Sequence, residues 1–482
     1  MKRKWAALLM AGALLTGAGG SYAGLYIWDN FKNKDDTALQ KPGGDEQLGG
    51  ESSNLEKVSQ AYQLIKDRYV ENVAEEELIE GAIQGMLSKL EDPYSVYMNK
   101  ETANQFNQTL ESSFEGIGAE VSSVDGKIVI VSPFKGSPAE KAGIKPNDQI
   151  LKVDGESVIG LDLYEATLKI RGEKGTKVNL QIQREGLSQP LAVDIKRDEI
   201  PLETIHADLK KQNGKKIGYI EITTFSERTA KDFKQELATL EKNEMEALVI
   251  DVRGNPGGLL SSVEEILQEF VTDKKPYVQI EQRNGEKQEY YSKLKQKKPY
   301  SVAILIDKGS ASASEILAGA LQEAEGYALI GEKTFGKGTV QQAMPMGDGS
   351  NIKLTLFKWL TPDGNWVHKS GIEPTVRVSQ PEIYRTHPLT IEKPLKRDMN
   401  NEQVKHAQAM LAGLGFAPDR QDGYFSKKTE TAVKGFQSIK GLEQSGVIDE
   451  KTASALVESI LAELRKEKND LQLQTAMRYL SK

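Results

Sequence analysis

Cysteine is absent from this 482-residue sequence, which removes disulfides, thiolate nucleophiles and cysteine-ligated metals together. Histidine is nearly as scarce. His206, His368, His387 and His406 are scattered, with no His-x-x-x-His or similar spacing on which to build a metal site. An excess of positive charge is also missing: 63 Lys and Arg face 70 Asp and Glu, for a net charge of -7. That balance argues against nucleic acid as the main partner, because phosphate binding wants a basic face. Chemistry must therefore come mostly from Ser, Lys, Asp, Glu and backbone groups.

Charge is missing locally as well. Lys2, Arg3 and Lys4 are followed by no charged residue until Asp29. The uncharged run is long enough to span a hydrocarbon core of ~30 Å at ~1.5 Å per residue. Its most hydrophobic part is short, however, and Ser21-Tyr22-Ala23 fits the small-x-small pattern of a cleavage site. Residues 1–28 are thus expected to be a signal peptide or a membrane anchor. Either one places the remainder outside the cytoplasm, secreted or membrane-anchored.

What is present suffices for several domains. Hydrophobic residues make up 38% and there are 43 glycines, and a length prior of about 150 residues per domain implies roughly three. Residues 29–53 are polar and read as a flexible linker. Residues 54–111 read as a helical arm: Leu55, Val58, Ala61, Tyr62 and Ile65, then Leu78, Ile79, Ala82, Ile83 and Met86, follow the three-four spacing of a buried helix face. Asp92-Pro93 marks a break, and the apolar faces make a homodimer through the arm an expectation.

Residues 112–199 carry short β-branched runs punctuated by glycine, with a short helix closed by Gly143 and a longer one over 161–170. Their order resembles a PDZ domain, a β fold with two helices. Gly116, Ile117 and Gly118 stand where such domains hold a peptide's terminal carboxylate. Successive backbone N–H groups of a glycine loop make an anion nest, and a neighbouring strand edge can pair with an extended peptide; a mere tight turn is the plainer reading. Over 200–380 strands and helices alternate, and the run 247–252 is nearly all apolar, as in a strand buried on both faces. After a linker-like stretch, residues 398–465 contain three helical segments with Leu-Gly-Phe, Asp-Gly-x-Phe and Thr-x-x-Ala-Val-x-x-Phe-Gln patterns. They resemble a small three-helix peptidoglycan-binding domain, with cell-wall glycan as an expected partner or the module as a spacer. The fold class is multidomain α/β.

Three loops interrupt the α/β core at strand ends, where such sheets place ligands. They are Asp251-Val-Arg-Gly-Asn-Pro-Gly-Gly258, Gly309-Ser-Ala-Ser-Ala-Ser-Glu-Ile316 and Gly331-Glu-Lys-Thr-Phe-Gly-Lys-Gly-Thr-Val-Gln341. Ser312 lies near a helix N-terminus, which suits a nucleophile and equally an ordinary capping serine. Lys337 is flanked by glycines, and Gln341 shares its face of a strand. To act as a base near pH 7 the lysine must lose about 3.4 pKa units, which costs about 4.6 kcal/mol; burial can supply it, and an amide can position the amine without adding charge.

The second and third loops resemble those of the carboxy-terminal processing peptidases, PDZ-containing serine proteases of the Ser–Lys type also called tail-specific proteases. The resemblance runs over about residues 55–378. It implies a bacterial serine endopeptidase that cuts protein or peptide substrates near free C-terminal tails recognised by the PDZ domain. The implied roles are Ser312 as nucleophile, Lys337 as general base and Gln341 orienting the lysine. An oxyanion hole would then use the Ala313 N–H and that of Gly258 or Gly257. Arg171 is a candidate for coupling the PDZ domain to the core, against the plainer reading of a solvated arginine. Two other functions compete. A His-Asp-Ser protease needs Gly-x-Ser-Gly-Gly, and Gly254-Asn-Pro-Gly-Gly258 has proline in place of the serine. A non-catalytic scaffold leaves Ser312, Lys337 and Gln341 without a purpose.

Overall fold

The computed structural model describes residues 52–482, apart from 112, 125, 162, 185, 186, 188, 382–388, 390–392 and 465. The expected signal or anchor segment over 1–28, and the linker as far as residue 51, lie outside the described residues. Among the described residues no helix is long and apolar enough to cross a membrane.

The arm opens with α1 (Ser52–Arg68) and α2 (Glu75–Ser88), then β1 (Val96–Met98) and α3 (Lys100–Leu110). Here one expectation is corrected. The apolar stripe of α1 and α2 is not buried within the chain: Leu55 is 72% exposed and Met86 61%. The periodicity was read correctly as helical, but two helices alone supply no third layer to cover the stripe. Burial begins at Ser95, and Met98, Ala103, Phe106 and Leu110 pack with Leu259 of the core.

Next come β2 (Ser113–Gly116), β3 (Ala119–Val124), β4 (Lys127–Pro133), α4 (Pro138–Lys141), β5 (Gln149–Val153) and β6 (Glu156–Ser157). Helix α5 (Leu163–Ile170), β7 (Lys177–Gln183), β8 (Leu191–Lys196) and β9 (Asp198–Pro201) follow. The sheet order is β3-β4-β5-β7-β8, so β3 is an edge strand, while β2 and β9 form a separate ribbon. Alternation in β7 buries Val178, Leu180 and Ile182 and turns their neighbours outward.

The core has β10 (Ile205–Gln212), β11 (Lys215–Ile222), α6 (Thr229–Lys242), β12 (Ala247–Asp251), α7 (Leu260–Leu267), β13 (Val278–Glu281) and β14 (Lys287–Tyr290). It continues with β15 (Ser301–Ile306), α8 (Ala313–Glu323), β16 (Ala328–Gly331), β17 (Thr339–Pro345), β18 (Asn351–Leu360) and β19 (Val376–Arg377). One sheet runs β10-β11-β12-β15-β16-β19, parallel except for β10. Leu248, Ile250, Val302 and Ile304 face the layer of α6, α7 and α8, whereas Ala247, Val249, Ala303 and Leu305 face the opposite side. A second, antiparallel sheet runs β1-β18-β13-β14 with β17 also on β18. The arm is therefore stitched into the core by β1, with Val96 opposite Lys353.

Helices α9 (Glu402–Gly413), α10 (Lys427–Ile439) and α11 (Glu450–Leu464) pack around Phe425, Val433, Phe436 and Leu456. A further helix, α12 (Leu471–Leu480), returns to the core, where Leu473, Ala476, Met477 and Leu480 cover the second face of the parallel sheet.

Candidate active site

The chain leaves β15, turns through residues 307–311 and enters α8 at Ser312. Ser312 does occupy the N-cap position, but with φ 55° and ψ -114° rather than the extended backbone usual there. A non-glycine residue held in such a region costs about 1–3 kcal/mol, and strain of that kind collects at functional sites. The turn is pinned from several sides. Ser310 Oγ donates to the Val252 carbonyl at 2.7 Å, and the Ala311 amide donates to the Asn255 carbonyl at 3.0 Å.

The carboxylate of Glu315, 0% exposed, ties this turn to the lysine loop. Its Oε2 accepts the amides of Ser312 at 2.9 Å and Lys337 at 2.8 Å. Its Oε1 accepts Thr334 Oγ1 at 2.6 Å and the Gly336 amide at 2.7 Å. The backbones of Ser312 and Lys337 thus share one acceptor oxygen and lie no further apart than two hydrogen-bond lengths. Burial pushes the Glu315 carboxyl upward, against the pull of its four donors.

Lys337 is itself 0% exposed. Trp359 Nε1 donates to its carbonyl at 2.8 Å, and its amine lies 4.9 Å from the centre of the Tyr94 ring. A Cβ on Gly336 would meet the Gly371 nitrogen at 2.9 Å, and one on Gly338 the His368 nitrogen at 2.7 Å, so the flanking glycines let the loop close on the lysine. Burial, then the nearby Lys353, bring the amine down to about 7, while Glu315 and Asp92 pull the other way. An amine so placed exists partly as the neutral base near neutral pH. Gln341 is fully buried; its Nε2 donates to Thr339 Oγ1 at 2.8 Å and Thr355 Oγ1 at 3.2 Å. Its Oε1 has no hydrogen-bond partner among the described residues.

The loop after β12 lies against the serine turn. A Cβ on Gly257 would stand 2.9 Å from both the Ala311 carbonyl oxygen and Ser312 Cβ. The Gly257 amide donates to Asn255 Oδ1 at 2.8 Å. No hydrogen bond among the described residues engages the amides of Gly258 or Ala313. Arg253 anchors the start of this loop: it donates to Asp251 Oδ2 at 2.6 Å, to both Asp470 oxygens at 2.8 and 2.9 Å, and to Gln472 Oε1 at 3.0 Å.

In the PDZ domain, Gly116 ends β2, and Ile117 and Gly118 lead into the edge strand β3, which runs alongside α5. The carbonyls of Ile117 and Gly118 accept the amides of Ala139 at 2.8 Å and Phe134 at 2.9 Å, while their own amides engage no partner among the described residues. Gly118 has φ +73°, and a Cβ there would stand 2.5 Å from Ser137 Cβ. Arg171 lies over the Phe114 ring at 4.8 Å, beside this loop.

Sequence reading missed several groups here. Glu315 was visible only as part of a capping pattern, although a carboxylate at the start of an otherwise apolar helix was the available signal. Tyr94, Asp92 and Lys353 gave none, because nothing in the sequence shows β1 joining the sheet that carries Gln341.

Comparison with known proteins agrees with this layout. The model for peptidase family S41 matches residues 216–378 and a PDZ domain model matches 116–195. The model described as the activating protease CtpB N-terminal domain matches 14–102, and a putative peptidoglycan binding domain model matches 400–456. The chain is 58% identical over 480 residues to the carboxy-terminal processing protease CtpB of Bacillus subtilis, covering 100% of this chain and 99% of that protein. It is 43% identical over 430 residues to the carboxy-terminal processing protease CtpA of the same organism, covering 89% and 91%. Among solved structures, a photosystem II D1 C-terminal processing protease is 26% identical with a TM-score of 0.41, over 67% of this chain and 92% of that one.

Proposed function

This chain belongs to peptidase family S41, and we propose that it is a serine endopeptidase in which Lys337 activates Ser312 and Gln341 positions the lysine. The carrying observation is a fully buried lysine, brought to about 7, whose backbone shares the Glu315 oxygen with the backbone of the serine. Neutral Lys337 takes the Ser312 proton as Oγ attacks the scissile carbonyl, then returns it to the leaving amine; water resolves the acyl-enzyme by the same base. Gln341 Oε1 is a buried acceptor suited to the ammonium that forms transiently on Lys337. The Ala313 amide stabilises the oxyanion, with Gly258 as second donor, since the Gly257 amide is already committed to Asn255.

Substrates are proteins or peptides with free C-terminal tails. The tail adds to the open edge of β3, with its carboxylate at the Ile117 and Gly118 amides. Arg171, beside that loop, is the proposed coupling residue; if Arg171→Ala leaves cleavage unchanged while tail binding persists, that role is lost. The protein works outside the cytoplasm, its peptidoglycan-binding-like module meets wall glycan, and the exposed stripe on α1 and α2 serves a homodimer.

The test is cleavage of an unstructured C-terminal tail by wild type, Ser312→Ala and Lys337→Ala. Loss of either residue is expected to lower kcat by about 10³-fold or more with folding intact. Equal cleavage by all three would overturn the assignment.

A further inference from the structure

We infer that Lys353 is a positioning residue for the reaction, a second buried lysine whose positive charge, seated against the arm's Phe106, keeps Lys337 in the neutral form that can accept a proton. The inference rests on the reading of Lys337 as the general base and asks what keeps that base ready.

Lys353 lies on β18 and is 2% exposed. On β18 it is two residues from Thr355, so the two side chains leave the same face of the strand. Thr355 Oγ1 accepts the Gln341 amide at 3.2 Å, which identifies that face as the one turned toward the base. Pairing fixes the register: Gln341 stands opposite Thr355, and Ala343 opposite Lys353. On its other side Lys353 pairs with Val96 of β1, and its amine lies 5.1 Å from the centre of the Phe106 ring in α3. Lys353 and Lys337, the latter in the loop that leads into β17, are thus both buried beside paired strands β17 and β18, with the arm against Lys353.

The charges around that pocket can be stated element by element. Glu315 comes from α8, Lys353 from β18, Asp92 and Tyr94 from the loop before β1, and His368 from the loop after β18. Tyr94 meets His368 edge-on at 6.4 Å, and burial, then the nearby Lys369, hold His368 below its ordinary value. Asp92 is fixed by Ser95 Oγ at 2.6 Å and the Tyr94 amide at 3.0 Å, while Ser95 Oγ accepts the Thr355 amide at 3.1 Å. The acidic groups Asp92 and Glu315 favour a protonated Lys337, and Lys353 is the opposing charge. Burial, with Asp92 opposing, brings Lys353 down less far, to about 8.

The experiment is the pH profile of kcat/KM for peptide cleavage by wild type, Lys353→Met, Lys353→Gln and Lys353→Arg, with thermal melts alongside. The acid limb reports the free enzyme's base. With the repelling charge removed, the Met and Gln variants should move that limb to higher pH by about one unit. Activity near pH 6.5 then falls by about eightfold, and the deficit narrows toward pH 9. Lys353→Arg keeps the charge and should leave the limb at or below its wild-type position. A loss uniform across pH in both neutral variants, with the limb unmoved, means a packing role and overturns the inference. If both neutral variants fail to fold, the Arg variant decides, and an alkaline shift of its limb is the contrary result. Ser312→Ala and Lys337→Ala run in parallel. Activity in either defeats the parent reading, whereas inactive controls with an unmoved limb defeat the Lys353 role alone.

Discussion

A lysine buried in the neutral form, as the proposed role of Lys337 requires, is a liability in the folded state. Lys337 carries an ordinary value of 10.5 and sits at about 7. Between those limits the unfolded chain binds one more proton than the folded one, so stability attributable to this residue rises with pH from about 7 to about 10.5. At pH 7 and below, the penalty is on the order of 4–5 kcal/mol. Lys337→Met should therefore be inactive yet melt at higher temperature than wild type at pH 7, and that advantage should shrink as melts are repeated toward pH 10. Glu315 is the opposite kind of residue, since its carboxylate accepts four donors at once. Glu315→Gln turns an NH₂ group toward at least one of them, and each buried donor left unmet costs about 1–3 kcal/mol. Cleavage is expected to fall by about 100-fold, together with a lower Tm; a Gln variant cutting at the wild-type rate would show that the shared carboxylate is dispensable.

At the scale of elements, the loop after β12 separates glycines that are needed from those that are tolerated. Gly257, at φ +109°, has the serine turn where a Cβ would go, whereas Gly254, at φ +66°, has nothing within 4 Å. Gly257→Ala should abolish cleavage, while Gly254→Ala costs only the left-handed backbone penalty of about 1–2 kcal/mol, read from denaturant melts. Elements of this kind were unevenly legible in the sequence. The run 247–252 announced a strand buried on both faces, and β12 is fully buried. The two glycine-rich loops drew attention to Ser312 and Lys337, but neither carried a role alone; the roles came from the resemblance. Lys353 did not announce itself: in Asn351-Ile-Lys-Leu-Thr355 the period-two pattern reads as a solvent face, and only pairing of β18 with β1 and β17 covers it. The exposed stripe of α1 and α2 failed in the other direction, since periodicity specifies a face without supplying what covers it.

The whole molecule is closed by α12. Leu473, Met477 and Leu480 each contribute roughly 1.5–3 kcal/mol by leaving water on the parallel sheet. Asp470, at the head of that helix, holds Arg253 from 217 residues away in the chain. Both side chains are 15% exposed, and breaking a largely buried pair by removing one partner typically costs about 3–5 kcal/mol. Asp470→Asn should lower Tm clearly at pH 7 and weaken cleavage through the loop that Arg253 anchors. Arg253 first among the favourable causes, against the cost of burial, holds the Asp470 carboxyl below its ordinary value. Its contribution is therefore present above the usual carboxylate range and lost as pH falls through its depressed value, so the gap between variant and wild type should narrow as melts are repeated at progressively lower acid pH.

The reach of Asp470 back to Arg253 also has a consequence for timing. Synthesis runs from the N-terminus, so Ser312 and Lys337 leave the ribosome well before Asp470 does. Until α12 docks, the sheet has one bare face and the loop after β12 lacks its distant anchor. Cleavage by this chain is therefore expected to begin only after α12 has docked, and a variant that weakens Asp470's hold on Arg253 should delay its onset during refolding.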